Sequence, residues 1–144
     1  MAGHPADRDL PRTADRLPKD RVLCVEVSPL HGMILREKGH TVIERDFLAW
    51  NPGTLFDVIA CNPPYSEGRW QAHLRYAGTL VEAGGRLGAV LPLSARQQAA
   101  DLLPGFDLEF STPIDNAFAS TSISVLLLKA TKAKPKGMQM GLGL

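Results

Sequence analysis

The sequence of 144 residues contains few cysteines and has no apolar run as long as a membrane span. Its two cysteines, Cys24 and Cys61, fall in apolar segments, which predicts buried thiols and no disulfide framework. These cysteines and four scattered histidines form no pair at metal-ligand spacing, so a zinc site is not expected. The polar N-terminus lacks the apolar core of a signal peptide. Together these absences predict a soluble cytoplasmic protein that has neither a metal site nor a membrane partner.

An excess of charge is also missing. The 16 basic and 15 acidic residues give a formal net charge of +1, which provides no strong overall attraction to nucleic acid and leaves only a local basic patch to consider. The sequence has no Gly-rich phosphate loop with lysine, no HExxH helix and no Gly-x-Ser-x-Gly turn. Nucleotide triphosphate hydrolysis, zinc proteolysis and serine esterase chemistry are therefore not indicated.

Alternating apolar and turn-forming segments organise the chain, which is long enough for one domain. Strands are predicted at 21–27, 40–43, 56–61, 86–91, 106–110 and 123–128, and helices at 29–38, 70–83 and 95–103. This order predicts an α/β sandwich of three layers with a mostly parallel sheet, whose last two strands form an antiparallel pair. Residues 1–20 are a polar N-terminal segment, and 130–144 are predicted to be a flexible basic and Gly-rich tail.

The most informative stretch is FDVIACNPPY at 56–65. Residues 58–61 are apolar, as expected for a strand buried on both faces, and Pro63 and Pro64 prevent its continuation. Asn62 and Pro63 then form a stiff turn that presents oxygen acceptors, and Tyr65 follows with a flat ring. Such a turn suits a planar amine, whose N–H groups the acceptors bind while the ring covers its face. The alternative is that the prolines only end the strand and that Tyr65 packs in the core.

Acidic residues lie at the ends of the two preceding strands, with Glu26 near the carboxyl end of the first and Asp46 beside Phe47 just past the second. Together with NPPY, this pattern resembles the class I S-adenosylmethionine-dependent methyltransferases. It is more narrowly similar to the amino-methyltransferases with an (Asn/Asp/Ser)-Pro-Pro-(Tyr/Phe) motif. The resemblance runs from about Asp20 to Lys129 and includes the stretch EAGGRLGAVLP and the final hydrophobic strand. It implies a Rossmann-like methyltransferase domain at 21–129.

The resemblance also assigns roles to these residues. Glu26 would bind the ribose hydroxyls of S-adenosylmethionine, Asp46 its adenine amino group, and Phe47 would lie against the adenine ring. In the Asn62-Pro63-Pro64-Tyr65 tetrad, Asn62 and Pro63 would orient the target amine through their carbonyl oxygens, and the Tyr65 ring would stack on its base or amide. Two alternatives stay open, a surface salt bridge for Glu26 and a solvated loop charge for Asp46.

Three functions agree with this pattern. The first is methylation of adenine N6 in DNA, with the base flipped into the pocket and target choice made by short loops or a partner. The second is methylation of a glutamine side chain in a protein. The third is a non-catalytic methyltransferase-like module that keeps the sheet for binding. A second chain that completes the sheet or supplies target recognition is an expected partner.

One part of the family pattern is not found, the first strand and its Gly-rich turn. Ala2-Gly3-His4 resembles a stump of that turn, with Pro5 where glycine is expected and a short helix at 12–17 after it. The strand in question is central in this fold. Its absence predicts unpaired edges on the strands at 21–27 and 56–61, unless these strands pair with each other or with another chain.

This departure predicts weak or undetectable binding of S-adenosylmethionine by the 144-residue chain, because the turn that cradles the methionine portion is not found. Calorimetric titration of the purified chain measures the affinity directly. A low-micromolar dissociation constant would contradict the prediction.

Overall fold

The computed structural model of the chain describes residues 21–117 and 123–135. The predicted stump at 2–4, the helix at 12–17 and the end of the tail beyond 135 lie outside these residues. The described residues fall into two compact units, 21–51 with 115–117 and 123–124, and 52–114 with 125–135. No helix in the described ranges is long and apolar enough to cross a membrane.

The first unit contains a parallel strand pair and one helix. Its elements are β1 (Leu23–Glu26), α1 (Pro29–Glu37) and β2 (Thr41–Glu44), with Glu26 opposite Glu44. As predicted, Ser28 caps α1, and its side chain accepts a hydrogen bond from the backbone N–H of His31 at 3.4 Å. Gly39 follows the helix with a φ of 91°, a conformation that glycine adopts without strain.

The second unit contains a four-stranded sheet and two helices. Its elements are β3 (Phe56–Cys61), α2 (Arg69–Leu80), β4 (Val81–Pro92), α3 (Ala95–Leu102), β5 (Phe106–Phe110) and β6 (Val125–Lys132). The strand order is β3-β4-β6-β5, with β3 parallel to β4 and β6 antiparallel to both of its neighbours. The expected antiparallel pairing of the last two strands is thus confirmed.

Apolar side chains from both helices pack on one face of this sheet. Leu74 of α2 and Leu87 and Leu91 of β4 are fully buried. The helices are neighbours, because Nε2 of Gln71 donates to Oε1 of Gln98 at 3.3 Å. The C-terminus of α2 is held by Lys132, whose Nζ donates to the carbonyl oxygens of Gly78 at 3.1 Å and Val81 at 2.8 Å.

Several predicted boundaries differ from the structure. Helix α2 ends at Leu80 and not at Gly84-Gly85, because Val81 takes an extended backbone and pairs with Phe56 of β3. The register of the β3–β4 pair then shifts between Phe56 and Val58, and Gly84 has a φ of 81° in the intervening segment. The final strand begins two residues later than predicted and runs three residues into the predicted tail.

The prediction that β3 is buried on both faces is wrong. Val58 is 47% exposed and Ala60 is also exposed, whereas Ile59 and Cys61 are half-buried. Ile59 and Cys61 are paired with the buried Leu87 and Ala89 of β4, so the half-buried residues of β3 lie on the buried face of the sheet. Within the described residues β3 pairs only with β4, and β1 only with β2. The two strands that flank the expected central strand therefore do not pair with each other.

The close packing of Gly85 predicts a large effect of a single methyl group. A Cβ there would lie 2.9 Å from the carbonyl oxygens of Asp57 and Glu82. We expect Gly85→Ala to lower the free energy of unfolding in urea by about 1 to 3 kcal/mol. Gly88→Ala is the control on the same strand, because its Cβ would meet only the Leu128 oxygen at 3.9 Å. Equal losses in the two variants would contradict this account of β4.

Candidate functional site

The Asn62-Pro63-Pro64-Tyr65 turn lies at the carboxyl end of β3 in the second unit. Pro63 is buried and Pro64 is exposed, while Asn62 is half-buried. The Asn62 side chain makes no hydrogen bond to any residue in the described part of the chain. A partly desolvated amide without a partner is unfavourable unless a ligand or water binds it. The turn therefore presents both a donor and an acceptor at the end of the sheet.

Tyr65 is anchored to the neighbouring strand. Its phenolic oxygen donates to the carbonyl oxygen of Val90 at 3.0 Å, so the ring is fixed beside β4. Burial raises the pKa of Tyr65 to about 12, and the Cys61 thiol adds to the shift. Burial likewise raises the pKa of Cys61 to about 12. Both groups stay protonated near neutral pH, which makes Tyr65 a neutral platform and Cys61 a weak nucleophile.

A tight reversal links the turn to α2. Glu67 and Gly68 have φ values of 59° and 70°, two successive left-handed residues. This conformation is unfavourable for Glu67, and it is accompanied by a hydrogen bond from Arg69 Nη2 to Ser66 Oγ at 2.9 Å. The reversal sends the chain directly into α2, so the tetrad is held between a strand and a helix with few intervening residues.

Glu26 lies at the carboxyl end of β1 in the first unit, and its side chain is 14% exposed. Oε1 of Glu26 lies 2.9 Å from Nδ1 of His31, which is on the first turn of α1. The carboxylate accepts this hydrogen bond. This contact with a histidine lies on a mostly buried face, whereas the alternative interpretation expects a salt bridge on the surface. Sequence reasoning missed His31, although the predicted cap at Ser28 places it three residues into the helix.

Asp46 caps a short 3-10 helix, Phe47–Ala49, through a hydrogen bond from the Leu48 N–H to its Oδ1 at 3.0 Å. It is an exposed loop residue, and in the described chain its Oδ2 receives no hydrogen bond. Phe47 lies beside Trp50, with ring centroids 6.4 Å apart. Sequence reasoning also missed Trp50, which adds a second ring next to the predicted adenine contact.

The structure brings together the predicted residues of the first unit. The Arg45 N–H donates to the carbonyl oxygen of Glu26 at 3.1 Å, which ties the end of β1 to the segment that contains Asp46. Glu44, opposite Glu26, pairs with Arg36 of α1. The NPPY tetrad belongs to the second unit. Among residues 21–117 and 123–135, no group of three or more His, Cys, Asp or Glu side chains is arranged to hold a metal ion.

Solved methyltransferase structures match the chain over most of its length. TrmN from Thermus thermophilus has a TM-score of 0.65 at 21% identity, and the match covers 85% of this chain and 40% of that protein. A predicted O-methyltransferase from Agrobacterium tumefaciens has a TM-score of 0.63 at 18% identity, and the match covers 93% of this chain and 72% of that protein. The chain has the Rossmann-like methyltransferase fold. The predicted fold class is thereby confirmed.

A third match to this methyltransferase fold contains a bound product of the methyl donor. The N-methyltransferase NodS from Bradyrhizobium japonicum, in complex with S-adenosylhomocysteine, has a TM-score of 0.61 at 12% identity, covering 80% of this chain and 68% of NodS. No family model and no curated protein sequence matches the chain. These likenesses include N- and O-methyltransferases, so they do not identify a substrate.

The anchored phenol gives a testable pH dependence. The folded chain keeps the Tyr65 proton up to about pH 12, whereas an unperturbed phenol loses it at about pH 10. The unfolded state therefore binds fewer protons in this interval, and stability falls as the pH rises through it. Absorbance titration of the native chain should show a late phenol ionisation that Tyr65→Phe removes. If the variant keeps that ionisation, Tyr65 is not the buried phenol.

Proposed function

We propose that the protein transfers a methyl group from S-adenosylmethionine to an exocyclic amino group, and that its substrate is adenine N6 in DNA. The observation that carries this proposal is the Asn62 side chain, half-buried at a strand end and without a hydrogen-bond partner in the described chain. Beside it, Tyr65 presents a ring whose hydroxyl is already bound to Val90. An unused amide next to a fixed flat ring suits a planar amine.

The residues of the first unit fit the adenosine part of the cofactor. Glu26 supplies a half-sheltered carboxylate at the end of β1, which suits two ribose hydroxyl donors. Asp46 has Oδ2 available after its cap bond, which suits the adenine amino group. Phe47 is half-buried and offers an aromatic ring for the base. These acceptors thus match the ribose hydroxyls and the adenine amino group in kind.

Catalysis by these residues consists mainly of alignment. When bound, S-adenosylmethionine supplies a methyl group on a positively charged sulfur, which is a strong electrophile. Asn62 and the Pro63 carbonyl accept the N–H groups of the amine and thereby orient its lone pair. The same acceptors stabilise the positive charge that develops on nitrogen. The ammonium product loses its extra proton to water, so the reaction needs no general base from the chain.

An adenine base is the substrate that makes use of Asn62, Pro63 and Tyr65 together. Its exocyclic amine carries two N–H groups for the oxygen acceptors, and its ring presents a face to Tyr65. The glutamine amide also has a planar amine, but its smaller face makes less use of an aromatic platform.

Removing the Asn62 amide tests the proposal. We expect Asn62→Ala to lower labelled-methyl transfer to an adenine-containing oligonucleotide about a hundredfold or more, because acceptors on a developing charge contribute this much. Affinity for S-adenosylhomocysteine should stay unchanged. Gln97→Ala, an exposed position on α3, is the matched control and should retain full transfer.

The assay includes an oligonucleotide without adenine and a protein fraction at saturating methyl donor. Transfer to the adenine-free oligonucleotide would contradict the choice of adenine. Label in the protein fraction alone would favour glutamine methylation. No transfer to any acceptor by the unaltered chain would contradict methyl transfer itself and favour the non-catalytic module.

A further inference from the structure

The contact between Glu26 and His31 arises from the way α1 begins. Ser28 is the cap and Pro29 the first helical residue, so His31 is the third residue of the helix. Its backbone N–H donates to Ser28 Oγ at 3.4 Å, which fixes the first turn. A side chain at this helix position commonly reaches back toward the cap. Here the imidazole reaches past the cap to Glu26, at the end of the preceding strand.

The contact restricts a side chain that otherwise has several rotamers. Nδ1 of His31 lies 2.9 Å from Oε1 of Glu26, and the two side chains are 21% and 14% exposed. A hydrogen bond to a mostly buried carboxylate is stronger than one to a carboxylate in open solvent. The helix does not need Glu26 for its own cap, because Ser28 already fills that role. The neighbouring carboxylate, Glu44, has a different partner in Arg36.

We propose that His31 is a positioning residue that holds the Glu26 carboxylate for recognition of the cofactor ribose. This inference rests on the proposed function, in which Glu26 binds the ribose hydroxyls. His31 engages Oε1, and this fixes the orientation in which the carboxylate meets a hydroxyl donor. Side chains that hold a ligand-binding group in one orientation commonly have large effects on affinity.

The test separates positioning from a general structural role by comparing two ligands. The probes are S-adenosylhomocysteine and an analogue whose ribose lacks both hydroxyls, each titrated to high concentration while amide chemical shifts are followed. We expect His31→Leu to weaken S-adenosylhomocysteine binding about tenfold, because it removes a hydrogen bond to a charged group. The affinity for the dideoxy analogue should be the same in both proteins.

His31→Asn is the conservative variant, because its amide nitrogen occupies nearly the position of Nδ1 and donates to the same carboxylate. It should bind S-adenosylhomocysteine within about threefold of the unaltered chain. Equal weakening of both ligands by His31→Leu, or no weakening of either, would overturn the inference.

Failure of the proposed function gives a different result. An unaltered chain that binds neither ligand would agree with the undetectable binding expected from the sequence, and it would overturn the proposed function and this inference together. An unaltered chain that binds both ligands equally overturns only the role of Glu26 and His31 at the ribose, because methyl transfer is measured separately.

Discussion

Two adjacent prolines determine where β3 ends, and the second unit depends on that point. Pro63 and Pro64 have no N–H to donate, so the pairing with β4 stops at Cys61. Asn62 is then left at the carboxyl end of the sheet, and the reversal at Glu67 and Gly68 sends the chain into α2. The conformational restriction imposed by the prolines therefore sets the position of both the amide and the helix that packs on the sheet.

Much of this arrangement follows from local signals in the sequence. The apolar segments predicted all six strands, and Ser28 with Gly39 predicted both ends of α1. The end of α2 was mispredicted because Val81 fits the apolar stripe of a helix as well as it fits a strand. Its pairing with Phe56 decides between the two, and that contact joins residues distant in sequence. The exposure of Val58 was likewise missed, since an apolar run does not reveal which faces other elements cover.

In the candidate site too, local signals in the sequence predicted some features, whereas contacts between distant residues could not be predicted. The strand-end positions of Glu26, Asp46 and the NPPY tetrad could be predicted, because each follows an apolar segment. Their partners were harder to find. His31 is close to Glu26 in sequence and follows from the geometry of the capped helix. Val90, which holds Tyr65, is twenty-five residues away and depends on the pairing of β3 with β4.

The central claim is that the tetrad orients an adenine amine for methyl transfer, and the chemical identity of the product tests it most directly. An adenine-containing DNA oligonucleotide incubated with the protein and S-adenosylmethionine is digested to nucleosides and analysed by mass spectrometry. The account predicts a single new nucleoside, deoxyadenosine with a methyl group on N6. A methyl group on a ring nitrogen, on another base or on no base at all would contradict it.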